Sequence, residues 1–515
     1  MSDDFKKKEL KILREAVDKA EKKAGKTLVD NVEVRKIIKI AEDFLRSKKL
    51  VCYGGTAINN ILPEDDQFYN KSTELPDYDF FSPNALSNAK ELANIYYKNG
   101  YGEVEAKSGM HYGTYKVFVN SLPVADITYL HKDLFNIVQI NSIKVDGILY
   151  APPDYLRMSM YLELSRPDGD VSRWEKILKR LILLNKHYPM QNPRCDNINF
   201  MRTFEGGKEE AEDIYRIVKN SIIDQELVFF GGYASKLYSR YMPKDLKHKF
   251  LDKSPDFDVL SNDPKESAEI IKEKLESHGY ENINIINQKG VGEMIAPHYE
   301  ISINGDTIAF IYKPLACHSF NTIKIKGKTV KVATIDTMLS FYLAFLYADR
   351  EYYDKDRIYC MAQYLFMVQA KNRLAQKGVL KRFSLDCIGK QDTLADIRNR
   401  KIEKYKELKQ NPDSIKYEKW FLRYIPRTMN NKHANKTKKT KKITNKKSIK
   451  TKRPASKHLH KPKKKKIKKT KKLSNKNVPV EDDKIEPVED DKTEPVEVNN
   501  SSDKLKKLNL YGLNF

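Results

Sequence analysis

Across residues 5–50, apolar residues recur at three- and four-residue spacing, most clearly in VEVRKIIKIAEDFLRSKKL. This predicts two helices with a break near Gly25-Lys26-Thr27. At residue 50 the pattern changes. A short apolar run (residues 50–53) meets Gly54-Gly55, and TAINNIL after it predicts the first turns of a helix with Thr56 as its N-cap. DYDFF and VADITYL predict short strands, and INSIKVDGILYAP predicts a hairpin turning at Asp146-Gly147. Helical spacing resumes in DYLRMSMYLELSRP and VSRWEKILKRLILLNKHY.

The same order then returns. ELVFF leads to Gly231-Gly232, followed by YASKLYSRYM, PDFDVLS, the strand-like YEISI and IAFIYKPL, the hairpin-like FNTIKIKGKTVKV and the helical TIDTMLSFYLAFLY. Asn141-Ser142-Ile143-Lys144-Val145 answers Asn321-Thr322-Ile323-Lys324-Ile325. A repeat of this length is far longer than the roughly 20–50 residues of a solenoid unit, so it marks a duplicated domain. The expected organisation is a helical region (1–48), a first α/β domain (49–190), a linker and helix (191–218), a second domain with C-terminal helices (219–430) and a tail (431–515), an α+β chain overall. Residues 398–427 predict a last helix and connector.

Charge sharpens the picture of the tail. Of the formal net charge of +25, 22 Lys and Arg fall in residues 431–480, which hold no Asp or Glu, leaving +3 on the rest. KTKKTKKITNKK and KPKKKKIKKTKK cannot bury apolar area and are expected to be disordered. Such a tail would hold nucleic acid electrostatically. The five cysteines form no Cys-x-x-Cys pair and sit beside no histidine cluster, which predicts reduced thiols in an intracellular protein. The N-terminus has no signal-peptide core and no apolar run approaches membrane-spanning length.

The chemistry is concentrated where two glycines end a strand and an Asp-x-Asp follows about twenty residues on. On a strand, Asp77 and Asp79 point one way and Tyr78 the other. Paired carboxylates on one face repel unless a cation lies between them, and hard oxygen ligands suit Mg²⁺ or Mn²⁺. Asp126, an acid in the otherwise apolar VADITYL, supplies a third ligand. Three carboxylates hold two ions for displacement at phosphorus. Gly54 and Gly55 let backbone approach a ligand, the helix start offers N–H groups to a phosphate, and Thr56 adds a hydroxyl. Gly-Gly or Asp-x-Asp alone would be a weak signal; the combination with a third acid is much stronger.

Gly54-Gly55-Thr56, then Pro76-Asp77-Tyr78-Asp79-Phe80-Phe81-Ser82, then Ala125-Asp126-Ile127, resembles the nucleotidyltransferase signature of the DNA polymerase β superfamily. The wording GGTAINNILP, FYN and LPDYDFFSP resembles more narrowly the poly(A) polymerase catalytic subunits of poxviruses and giant DNA viruses. The resemblance covers residues 51–346 and implies two tandem nucleotidyltransferase-like domains, the second degenerate. It implies transfer of AMP from ATP to an RNA 3′ end, metal ligation by Asp77, Asp79 and Asp126, and a phosphate loop of Gly54, Gly55 and Thr56. Its poxvirus members work with a second subunit, so a processivity subunit or a homodimer is an expected partner. A viral source would place the chain in virions and in the host cytoplasm.

The second copy keeps Gly231-Gly232 and Asp256-x-Asp258 but sets Phe310 at the place of Asp126, so it is expected to be catalytically dead. In SGMHYGTYKVFV, Tyr112 and Tyr115 are candidates for base stacking and Lys116 for a phosphate contact, while His111 reads as incidental. LKRLILLNKHY reads as a core helix with a basic outer face. Competing functions are a uridylyltransferase, a CCA-adding enzyme, an oligoadenylate synthetase, a non-catalytic RNA-binding scaffold and a small-molecule nucleotidyltransferase. The metal and phosphate residues cannot separate the enzyme types.

Overall fold

The computed structural model describes residues 3–198, 200, 208–242, 256–292, 294–348 and 350–426. The basic tail lies outside the described residues. The N-terminal region is α1 (Asp3–Asp30) and α2 (Val32–Lys48). The break falls at Asn31, not near Gly25: the Asn31 side chain caps α2 by accepting from Glu33 N at 2.8 Å and Val34 N at 3.2 Å. Gly25 stays inside α1, where a Cβ would lie 2.0 Å from the Thr73 carbonyl oxygen. Its role is a close backbone approach and not a helix end.

The first α/β unit runs β1 (Val51–Cys52), α3 (Gly54–Ile61), β2 (Asp79–Ser82), α4 (Ala85–Lys98), β3 (Val104–Ser108), β4 (Thr114–Val119), β5 (Leu122–Tyr129), α5 (Lys132–Ile140), β6 (Ile143–Val145), β7 (Ile148–Tyr150), α6 (Pro153–Leu164) and α7 (Trp174–His187). The second runs α8 (Lys208–Asp224), β8 (Val228–Phe230), α9 (Gly231–Tyr238), β9 (Phe257–Leu260), α10 (Pro264–Glu276), β10 (Ile283–Gln288), β11 (His298–Ile303), β12 (Asp306–Tyr312), β13 (His318–Ile325), β14 (Lys328–Ala333), α11 (Ile335–Phe345) and α12 (Lys355–Lys371). The chain closes with β15 (Cys387–Ile388), α13 (Leu394–Leu408), α14 (Ile415–Phe421) and β16 (Arg423–Tyr424).

Each unit builds an eight-stranded mixed sheet, ordered β16-β3-β4-β5-β2-β1-β7-β6 and β10-β11-β12-β9-β8-β14-β13-β15. Without the added edge strands β16 and β15, the orders correspond strand for strand, which is the duplication read from the sequence. Both hairpins turn through two residues of positive φ, Asp146-Gly147 and Lys326-Gly327, as a tight turn in twisted strands requires.

The halves share one apolar core. α6 packs on α11, the Tyr155 and Tyr347 rings meet edge to face at 5.2 Å, and Ser319 N donates to Ser165 O at 2.8 Å. A buried ion pair, Arg382 Nη2 to Asp336 Oδ1 at 2.6 Å, lies in the same region, and Gln369, which donates to Asp336, accepts from Tyr161 of the first half.

Two expectations are revised. The chain after residue 414 does not stay with the second sheet: Arg423 and Tyr424 pair with Lys107 and Ala106 at the edge of the first sheet, and Glu418 bonds Lys90 at 2.7 Å. The cysteines expected to be free thiols form two disulfides, Cys195–Cys360 and Cys317–Cys387, with only Cys52 free. Partners 165 and 70 residues apart are brought together by tertiary packing, which linear spacing does not reveal.

Candidate active site

Strand register assembles the carboxylates. β2 and β5 run parallel with Asp79 opposite Asp126, and Asp126 N donates to Tyr78 O at 3.0 Å. Asp77 sits two residues before Asp79. Tyr78 points to the other side, where its hydroxyl donates to Glu42 Oε1 at 2.8 Å. The three acids named from the sequence are thus gathered at one place on the sheet.

The glycine turn is built against them. Tyr53 N donates to Asp79 O at 2.9 Å, so the chain leaves β1 beside Asp79. Gly54 then takes φ +74°, and a Cβ there would lie 3.0 Å from Asp79 Oδ2. Only glycine lets the start of α3 adopt that backbone this close to the carboxylate. A Cβ on Gly55 would lie 2.5 Å from Tyr69 Oη and 2.9 Å from Arg180 Nη1. Thr56 is not the N-cap: α3 starts at Gly54, and the buried Thr56 hydroxyl donates to Asp77 O at 2.7 Å. It ties the helix start to the acidic loop, and that bond occupies its proton.

The electrostatics are those of carboxylates crowded without enough positive charge. Burial, then the charges of Asp77 and Asp126, push the Asp79 carboxyl up to about 7. Burial and the Asp126 charge raise Asp77, against the pull of Lys116 and Lys176. The Lys116 ammonium forms an ion pair with Asp126 Oδ2 from the facing residue of β4. A cation already sits on this cluster, and two acids remain held above their ordinary range. An all-carboxylate donor set with excess negative charge fits hard divalent ions.

The structure adds residues that the sequence did not single out. Arg180 of α7 lies over the Phe68 ring at 4.7 Å and donates to Tyr69 Oη at 2.6 Å. Lys176, one turn earlier, is close enough to lower Asp77, and Arg173 to lower Asp79. Of the basic residues in LKRLILLNKHY, Arg180 is turned toward the glycine turn, while Lys179 pairs with Glu175 and Lys186 and His187 pair with Asp66. The charge of Arg180 was legible, but its target needed the fold. Of the weaker candidates, Tyr115 is buried and donates to Lys419 O at 3.2 Å, which removes it as a stacking platform. Tyr112 is exposed beside Trp420, with ring centroids 4.5 Å apart. Lys116, expected at a phosphate, pairs with Asp126 while its side chain stays 40% exposed.

In the second copy, Asp258 stands opposite Phe310 across β9 and β12, as Asp79 stands opposite Asp126. Phe310 is buried and stacks on Tyr352 at 5.3 Å. Opposite Phe310 on β11 is Glu300, where the first copy has Lys116. Both the third carboxylate and its cationic partner have changed. Gly231 keeps the positive φ of Gly54, with Asp258 packed tightly against it.

Residues 39–170, which include Gly54, Gly55, Thr56, Asp77, Asp79 and Asp126, match the family model described as poly(A) polymerase catalytic subunit. Over 186 residues the chain is 34% identical to an Acanthamoeba polyphaga mimivirus protein bearing the name of a poly(A) polymerase catalytic subunit, covering 35% of this chain and 31% of that protein. Over 187 residues it is 33% identical to a protein of the same name from African swine fever virus (strain Badajoz 1971 Vero-adapted), covering 35% of this chain and 39% of that one. The chain thus spans about a third of the length of the curated relatives it matches. The crystal structure of the Megavirus polyadenylate synthase has the same fold, with a TM-score of 0.70 at 23% identity, covering 87% of this chain and 91% of that one. The resemblance read from GGTAINNILP and LPDYDFFSP is borne out over the matched segment.

Proposed function

We propose that this chain, whose residues 39–170 match the poly(A) polymerase catalytic-subunit family, is a template-independent polynucleotide adenylyltransferase that adds AMP from ATP to RNA 3′ ends. The observation that carries the reading is the register pairing of Asp79 with Asp126 beside Asp77, with the Gly54 turn packed against Asp79.

In the reaction, the RNA 3′-hydroxyl oxygen bonds to the α-phosphorus of ATP. The bond from that phosphorus to the oxygen bridging the β-phosphate breaks, pyrophosphate leaves and the hydroxyl proton passes to solvent. Divalent ions held by Asp77, Asp79 and Asp126 would supply positive charge at the attacking and leaving oxygens. The start of α3 presents backbone N–H groups and its positive dipole end to the triphosphate. Gly54 and Gly55 keep that approach open. Arg180, held by Tyr69 and Phe68, adds a positioned guanidinium beside Gly55. Thr56 ties the helix start to the Asp77 loop through its hydrogen bond to Asp77 O. Lys116 neutralises part of the cluster between turnovers.

The second half serves as a wall and support for the first, because a phenyl ring at position 310 cannot ligate an ion. The test is to incubate the purified chain with a labelled RNA, Mg²⁺ or Mn²⁺ and each nucleoside triphosphate separately. Extension with ATP is expected. Extension with UTP or CTP instead would move the chain to another branch of the superfamily, and RNA binding with no extension would favour a scaffold.

A further inference from the structure

Between the two halves lies a cavity of about 200 Å³. That is smaller than the roughly 300–1,000 Å³ of whole-ligand sites, and on the scale of a single aromatic base. Its walls include Phe81, Thr128, Tyr155, Arg166, His318 and Phe341. The cavity adjoins the carboxylates: Phe81 and Thr128 lie two residues beyond Asp79 and Asp126 on the same strand faces, about 7 Å along the sheet at about 3.3 Å per residue.

Two side-chain nitrogens on this wall have no hydrogen-bond partner among the described residues. His318 is only 3% exposed, and its Nδ1 is buried without a hydrogen bond. Arg166 Nε is also buried without one. The 2.8 Å bond from Ser319 N to Ser165 O sets these residues side by side, one from each half. Buried polar atoms of this kind are costly, and on a cavity wall a bound group can satisfy them. Burial and the Arg166 charge push the His318 imidazole down to about 3, so it is neutral and keeps one nitrogen as an acceptor. Arg166 can only donate.

We propose that this cavity holds the base of the incoming nucleotide, with Arg166 donating to a ring nitrogen and His318, as the tautomer protonated on Nε2, accepting from the exocyclic amine of adenine at Nδ1. This rests on the adenylyltransferase reading and deepens it. Phe81, Tyr155 and Phe341 supply apolar surface for the rings. Guanine and uracil present a carbonyl oxygen where adenine presents its amine, and a neutral imidazole acceptor repels it. Cytosine carries the same acceptor and amine pair but offers less stacking area. The order expected is therefore ATP, then CTP, with GTP and UTP last.

The test compares ATP with purine riboside triphosphate, which lacks only the amine, by kcat/KM for RNA extension and by equilibrium binding without RNA. For the wild-type chain the analogue should lose about 10–100-fold, the effect of leaving one buried acceptor unpaired. In His318→Leu that ratio should fall to within about threefold, because the amine then has no partner. A purely structural His318 would lower both substrates together and leave the ratio unchanged, which overturns the proposal. Equal use of both nucleotides by the wild-type chain overturns it without any variant. Extension with ATP but no discrimination defeats the pocket alone. Selective binding of ATP over the analogue without RNA extension supports the pocket and defeats the reaction.

Discussion

The Asp79 carboxyl offers a direct physical test of the acidic cluster. Its pKa in the folded chain is raised from 3.8 to about 7. A folded-state pKa above the unfolded value means the folded chain binds more protons between those limits, so stability is lost as pH rises through that window. At about 1.36 kcal/mol per pH unit, the rise corresponds to at most about 4 kcal/mol, shared with Asp77, whose carboxyl is also raised. Asp79→Asn removes both the group and its repulsion of Asp77. Without added metal, the variant should gain stability relative to wild type between pH 5 and pH 8, by up to about 8 °C in Tm at about 2 °C per kcal/mol. Thermal melting of both proteins by fluorescence, across that range and in EDTA, reads the difference, and the comparison cancels effects of the basic tail. Adding Mg²⁺ or Mn²⁺ should stabilise wild type more at pH 8 than at pH 5, since an ion competes with the proton on Asp79. The same difference in Tm at every pH would refute the reasoning, because the acids would then not be coupled.

Two further outcomes follow from the geometry. Gly54→Ala forces a side chain into a backbone at φ +74° with its Cβ 3.0 Å from Asp79 Oδ2. It should cost about 1–3 kcal/mol of stability and reduce kcat at least tenfold in an extension assay, by displacing the carboxylate. Arg180→Ala should raise KM for ATP by about tenfold with the Tm nearly unchanged, the loss expected for one charge-assisted contact to phosphate.

Much of the architecture was legible because its signals are local. Short apolar runs marked the strands, two of them ended by a glycine pair, and the first hairpin was marked by Asp146-Gly147. The acids were legible because Asp126 interrupts an apolar strand, and charge in such a strand needs a reason. Phe310 could be aligned with Asp126 because the strand order repeats, and the register of β9 with β12 agrees. What escaped depends on contacts distant in sequence. Arg180 comes to Gly55 only when α7 crosses the glycine turn. Cys195 meets Cys360 only when the linker packs on α12. His318 reads as one more strand residue until Ser319 is hydrogen-bonded to Ser165 of the other half. Gly25 resembled a helix end because a glycine required by the Thr73 backbone carries the same letter as one required by a cap.

The central claim is that one of two similar halves performs the chemistry, and it is tested by running Asp126→Asn and Asp258→Asn side by side in the RNA extension assay with ATP. Asp126→Asn is expected to abolish extension while its melting temperature is kept, and Asp258→Asn to extend RNA at close to the wild-type rate. Extension surviving in Asp126→Asn, or lost equally in both variants when both are folded, would contradict it.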